Sequence, residues 1–250
     1  MASLKVHRDG PVLRLTLARP EKRNALDPEL IDALTRALAD TGDARAVVLR
    51  GEGPSFCAGA DLEWMRASIE LTPEENVADA RRLDGLLGAA DGCPAPLVAG
   101  VQGHAIGGAC GLLACCDVVI AAHDASFGLG EVKLGLVPAV ISPFVLARIG
   151  SGAARRLFVT GERFDAKTAL HIGLVHDLAD DLDAAVEGVV SDILAGGPEA
   201  VRLAKRLARG GLSAEESVQL LADLRAGNEA QEGLRAFLER RQPSWRSETK

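Results

Sequence analysis

The sequence predicts an α/β fold with parallel strand pairing. Short apolar runs at residues 46–49, 96–101 and 118–121 have the length and character of buried strands. Helical segments joined by short loops alternate with them, and that alternation favours a parallel sheet. After Pro138 the chain turns mostly helical and ends in Glu-, Arg-, Ala- and Leu-rich helices. A core over residues 1–195 carrying the active site, with a C-terminal helical region over 196–250, is the expected organisation.

In chain order, residues 4–8 and 12–17 alternate about Asp9-Gly10, which marks a β-hairpin. Asp27-Pro28 opens a helix with an acidic N-cap and proline in its first turn. Leu30, Ile31, Leu34 and Leu38 form its buried stripe. A Gly-rich loop spans 51–60. Thr72-Pro-Glu-Glu75 is a capping box that starts a helix running to about Ala90. A helix is expected over 107–116, between the strands at 96–101 and 118–121. Ser142-Pro143, Ser151 and Asp165 begin further helices, and Gly173 ends the last of these. Residues 174–178 are expected to form one last strand. Helices follow at 181–195, 198–209, 213–226 and 229–240, with Ser213-Ala-Glu-Glu216 as a second capping box.

Composition narrows the function. The 250 residues are 48% hydrophobic and 25% charged, as in an ordinary soluble globular protein. A net charge of −7 argues against nucleic acid or an anionic membrane as the main partner. The first ten residues lack the apolar core of a secretion signal, and no apolar run is long enough for a membrane span. Cysteines 57, 93, 110, 115 and 116 are odd in number and contain no C-x-x-C pair. Reduced, buried, structural thiols in a cytoplasmic protein are the expectation.

Several catalytic signatures are missing. The glycines at 103, 107, 108 and 111 lack dinucleotide-binding spacing, and no P-loop, H-E-x-x-H or G-x-S-x-G motif occurs. The five histidines are scattered, so no metal site is expected. His171 is expected on a helix end and His176 on a strand.

What remains is the run from Gly103 to Pro138. An apolar strand feeds a Gly-Gly pair, after which small and apolar residues form a short helix. Glycines there let backbone amides face a ligand at the positive end of a helix. Glu131 follows in an otherwise uncharged run. An oxyanion-binding backbone with one acid/base carboxylate is the chemistry this pattern suits.

Three stretches together resemble the enoyl-CoA hydratase/isomerase, or crotonase, superfamily. They are Arg19-Pro-Glu-Lys-Arg-Asn-Ala-Leu26, Gly51-Glu-Gly-Pro-Ser-Phe-Cys-Ala-Gly-Ala-Asp-Leu62 and the run from Gly103 to Pro138. The resemblance implies a crotonase spiral of ββα units with a C-terminal helical trimerisation region. It also implies a coenzyme A thioester substrate, no metal or redox cofactor, and a homotrimer or a hexamer built from two trimers. By motif position, the amides of Ala60 and Gly108 would hold an enolate oxygen, and Glu131 would be the catalytic acid/base. Gly59 would aim Ala60, and Gly107 and Pro138 would belong to the substrate site. Lys22, Arg23, Ala25, Ala58, Asp61 and Leu62 would meet the coenzyme and the thioester.

The sequence departs from that family at Gly111, where typical hydratases carry another glutamate. One carboxylate suits a double-bond isomerase as well as a hydratase, and a non-catalytic acyl-CoA-binding homologue is a third reading. The stretches 107–117 and 130–145, residues 60–66 and the tail 231–245 are similar to bacterial methylglutaconyl-CoA hydratases of leucine breakdown. That similarity favours hydration of a short or branched 2-enoyl-CoA. A distal carboxylate on such a substrate would need a cation or amide donors, and Lys133 and Arg148 are candidates only by nearness to Glu131 in the chain.

Overall fold

The computed structural model describes residues 2–247. Met1 and residues 248–250, the outermost parts of the expected core and C-terminal region, lie outside the described residues. The predicted hairpin is present: Leu4–Asp9 (β1) runs antiparallel to Val12–Leu17 (β2), with Gly10 at φ 52° in the turn. Parallel pairing continues from β2 through Ala46–Gly51 (β3), Leu97–Val101 (β4), Val118–Ala122 (β6) and Asp177–Ala179 (β9).

Alternation along these strands buries both sheet faces. Leu13, Leu15, Val47, Leu49, Leu97, Ala99 and Val119 join the large core with the first helix, Pro28–Ala39 (α1). Val12, Val48, Val98 and Ile120 face the other way, onto Leu182, Val186 and Val190 of Leu182–Ala195 (α7). In α1, Asp27 accepts from the Leu30 amide at 2.8 Å, and all four predicted stripe leucines and isoleucines are fully buried.

The 72–75 capping box starts Pro73–Asp91 (α3). The Gly-Gly pair opens a shorter helix than expected, Gly108–Ala114 (α4). A second, three-stranded sheet joins His104–Ile106 (β5), Ser126–Gly128 (β7) and Arg163–Asp165 (β8) in that order, parallel and then antiparallel. Together with Leu62–Ala67 (α2), these strands were not anticipated.

Both expected helix starts at 142 and 151 fall in Ser142–Thr160 (α5), which is interrupted at Gly150 with φ 71°. Asp165 caps Ala166–His171 (α6), so His171 does end a helix. The strand expected over 174–178 is displaced to β9. Leu174 and Val175 instead hang as buried side chains from a turn whose amides both bond to the Ala169 carbonyl. His176 therefore stands one residue before the strand.

The C-terminal helices are Pro198–Leu207 (α8), Ala214–Ala226 (α9, with the second capping box), Asn228–Leu238 (α10) and Ser244–Ser247 (α11). No helix among the described residues is long and apolar enough to cross a membrane.

Candidate active site

Two loops and one helix start build the site. Asn24 clasps the loops: fully buried at φ 55°, it accepts from the Arg19 amide at 2.9 Å and donates to the Glu52 and Ser55 carbonyls at 2.8 Å each. The backbones then run side by side. The Ala58 amide donates to Arg23 O, Leu26 to Gly59 O and Asp61 to Leu26 O, at 2.7–3.0 Å. Arg19 closes the arrangement, bonding the Ala25 carbonyl at 2.6 Å and Asp61 at 2.8 Å.

Loop 51–60 also runs along the second sheet. The Cys57 amide donates to His104 O, and the Ile106 amide donates back to Cys57 O. Gly59, at φ 98°, lies so near that a Cβ there would stand 3.1 Å from the Ile106 carbonyl oxygen. Ala60 is thereby brought toward Gly107-Gly108. Leu26, which bridges Ala60, has its Cδ1 3.2 Å from the position of a Cβ on Gly108.

Neither the Ala60 amide nor the Gly108 amide donates a hydrogen bond among the described residues. Gly107, at φ 56° and ψ −119°, turns the chain into α4. That helix is only two turns long, so its contribution to an anion is chiefly the partial charge of its unpaired first-turn amides.

Glu131 reaches the same turn. Its Oε1 lies 3.1 Å from where a Cβ on Gly107 would stand, and its buried Oε2 has no hydrogen-bond partner among the described residues. Only a residue without a side chain at 107 leaves the carboxyl this open. Burial pushes the Glu131 carboxyl above the ordinary carboxylate range, against a weaker opposing pull from its own backbone amide.

Position 111 supplies no second carboxylate. Gly111 is fully enclosed, and a Cβ there would meet Ile141 Cγ2 at 2.5 Å and Ile141 Cβ at 2.7 Å. Ile141 thus fills the space into which a side chain at 111 would grow.

The residues expected to meet the coenzyme gather in one cleft of about 480 Å³. Lys22, Arg23, Ala25, Ala58, Ala60, Asp61 and Leu62 line it together with Glu21, Glu63 and Arg163. Asp61 is committed to the scaffold. Burial alone would raise its pKa, but the Glu63 amide, Arg19, the Trp64 amide and Lys22 outweigh it and hold the carboxyl below the usual range. Lys22 bonds Glu63 at 2.6 Å. Gly107, Gly108, Glu131 and the buried Pro138 lie beyond this cleft's walls.

Arg148 points elsewhere, donating to the carbonyls of Ala114 and Cys116 and contacting His176. Lys133 is exposed beside Gly161. All five cysteines are buried, and burial pushes Cys57, Cys110 and Cys115 up to about 12. Arg19, Asn24, Ile141 and Arg163 were not singled out from sequence. Asn24 carried a usable signal, since asparagine tolerates left-handed backbone between two turn-rich loops.

The family model described as Enoyl-CoA hydratase/isomerase matches residues 7–248. The crystal structure of an enoyl-CoA hydratase from Shewanella pealeana ATCC 700345 is similar at a TM-score of 0.91 and 40% identity, covering 97% of this chain and 96% of that one. Pseudomonas aeruginosa AtuE is similar at a TM-score of 0.92 and 38% identity, covering 97% and 99%. Cyclohexa-1,5-dienecarbonyl-CoA hydratase of Thauera aromatica is 33% identical over 252 residues, 96% of this chain and 95% of that relative.

Proposed function

The chain belongs to the enoyl-CoA hydratase/isomerase family and is an enzyme of crotonase fold, and from that premise we propose that it adds water to a short or branched 2-enoyl-CoA. One observation supports the reading: a partly buried carboxyl at Glu131 stands beside Gly107, and the neighbouring Gly108 amide, like that of Ala60, donates no hydrogen bond among the described residues.

In this reading the thioester carbonyl oxygen sits between the amides of Ala60 and Gly108. Ionised Glu131 takes a proton from water as the water oxygen bonds to the β-carbon. The π electrons move onto the thioester oxygen, and the two amides stabilise the enolate; losing one such donor typically costs about 3 kcal/mol. Glu131 then returns the proton to the α-carbon, so one water is added in total. A carboxyl held above its ordinary pKa serves both steps near neutrality. The coenzyme is part of the substrate, and the scheme calls on no metal or redox cofactor. Lys22, Arg23, Ala25, Ala58 and Leu62 wall the coenzyme, with Asp61 and Gly59 as scaffold and Gly107 and Pro138 as part of the substrate site.

3-Methylglutaconyl-CoA, in leucine degradation in the cytoplasm, is the proposed natural substrate. Its support is the similarity of 107–117, 130–145 and the tail 231–245 to that branch. The assembly proposed is a trimer or a pair of trimers, held by the C-terminal helical region over 196–250.

The enclosure of Gly111 by Ile141 favours one second reading, a β,γ-to-α,β isomerase that needs a single carboxylate. Incubation with 2-enoyl-CoA esters in deuterated water separates the two. Hydration yields a 3-hydroxyacyl product, whereas isomerisation yields exchange or migration without added oxygen. Binding without turnover of any ester would make the chain a non-catalytic acyl-CoA binder and overturn the proposal.

A further inference from the structure

Six charged side chains line the cleft: Glu21, Lys22, Arg23, Asp61, Glu63 and Arg163. Lys22 is held by Glu63 at 2.6 Å and Asp61 at 3.4 Å, and Asp61 is held again by Arg19 at 2.8 Å. The guanidinium groups of Arg23 and Arg163 have no ion pair or hydrogen bond among the described residues. They belong to different walls. Arg23 is tied to loop 51–60 through its carbonyl, which accepts from the Ala58 amide at 3.0 Å. Arg163 arrives from β8, directly opposite Gly128 of β7.

A Cβ at 128 would lie 3.5 Å from Arg163 Cγ and 3.6 Å from Ile106 Cδ1. The arginine stem and Ile106 thus flank position 128 at ordinary contact distance. Ile106 immediately precedes the Gly107-Gly108 turn, and the Gly128 carbonyl accepts from the Gly107 amide at 2.8 Å. The stem of Arg163 is therefore anchored beside the turn that Glu131 faces, and the residue lines the cleft together with Ala60. A guanidinium carries five donors in a fork that matches carboxylate or phosphate oxygens. The neighbouring acids at 61 and 63 are already engaged with Lys22 and Arg19, leaving that fork unmatched in an otherwise acidic protein.

We infer that Arg163 is a specificity residue that receives an anionic oxygen group of the substrate, either a carboxylate on the acyl chain or a phosphate of the coenzyme. The inference rests on the acyl-CoA reading above. Arg163 flanks Gly128 together with Ile106 and also lines the cleft with Arg23 and Ala58, so the acyl-chain and coenzyme sources are separated by the choice of probes.

Calorimetric titration with three unreactive probes tests this: glutaryl-CoA, which carries a terminal carboxylate, butyryl-CoA, which does not, and coenzyme A alone. With an acyl carboxylate as the source, R163Q should weaken glutaryl-CoA roughly 10- to 100-fold, the usual range for a lost hydrogen bond to a charged group, and by a much larger factor than it weakens the other two. R163K, which keeps the charge but not the fork, should recover part of the loss. It also supplies the test if R163Q does not fold, because it too should favour glutaryl-CoA less than the wild type does. Equal weakening of all three probes would place the anion on the coenzyme. Unchanged affinities for all three, with the wild type binding, would overturn the role of Arg163 and leave the acyl-CoA reading standing. A wild type that binds none of them would overturn both.

Discussion

Glu131 concentrates the energetic conflict of the site in one side chain. Its Oε2 is buried without a hydrogen-bond partner among the described residues, and burial raises its pKa. The sign for stability follows from linkage. At acid pH, below the ordinary carboxylate range, folded and unfolded states are both protonated and no penalty arises. As pH rises from that range toward the raised folded value, only the unfolded state ionises, and the fold loses stability. E131Q should therefore melt above the wild type at neutral pH, with the difference shrinking to nothing at acid pH. Melting temperatures taken across pH check this, and a difference independent of pH would contradict it. Asn24 works in the opposite sense, because its whole hydrogen-bonding capacity is spent on clasping the two loops. N24A strands two carbonyls and one amide and leaves a non-glycine, non-asparagine residue at φ 55°. A loss of roughly 2–4 kcal/mol is expected in urea unfolding.

Among elements, α4 and the start of α5 are locked through Gly111 and Ile141. A methyl group at 111 would stand 2.5 Å from Ile141 Cγ2. Overpacking of this kind costs about 1–3 kcal/mol, more than the helix-propensity gain of about 1 kcal/mol from replacing glycine by alanine. G111A should destabilise the fold, and I141A should remove most of that cost in the double variant. Additive losses across the cycle would show that the two positions do not meet. The same contact predicts that G111E alone cannot install a second acid in the site.

Legibility in the sequence followed the range of the interactions at stake. The hairpin, α1 and both capping boxes could be read because a cap, a turn residue and a stripe lie within a few residues of one another. β5, β7 and β8 could not, because each is three residues long and exists only through partners far along the chain. Of the residues singled out by motif position, seven line one cleft, whereas Gly59, Gly107, Gly108, Glu131 and Pro138 do not. Ile141 and Arg163 escaped notice because the place of one against Gly111 and of the other in the cleft comes from packing between segments distant in sequence.

For the whole molecule, the C-terminal helices are fastened to the core by partly buried polar contacts. Lys205 of α8 bonds Asp117 at 2.6 Å and the Ala95 carbonyl at 2.9 Å, and Trp245 donates to the Ala195 carbonyl at 3.1 Å. Large apolar side chains remain uncovered there: Phe237 is 80% and Leu238 78% exposed. Patches of that kind mark surfaces that other chains cover. Sedimentation equilibrium should give three or six times the 26.1 kDa chain mass, and a monomer at micromolar concentration would contradict the proposed assembly. The assembled enzyme is also the right form in which to test the chemistry. The most direct measurement is mass spectrometry of the products formed from 2-enoyl-CoA esters, 3-methylglutaconyl-CoA among them, in ¹⁸O-labelled water by the wild type and E131Q. The account predicts a 3-hydroxyacyl-CoA carrying one labelled oxygen from the wild type, and turnover lower by roughly 10²–10⁴ in E131Q with coenzyme binding kept. Unlabelled products alone, or an E131Q variant as fast as the wild type, would contradict it.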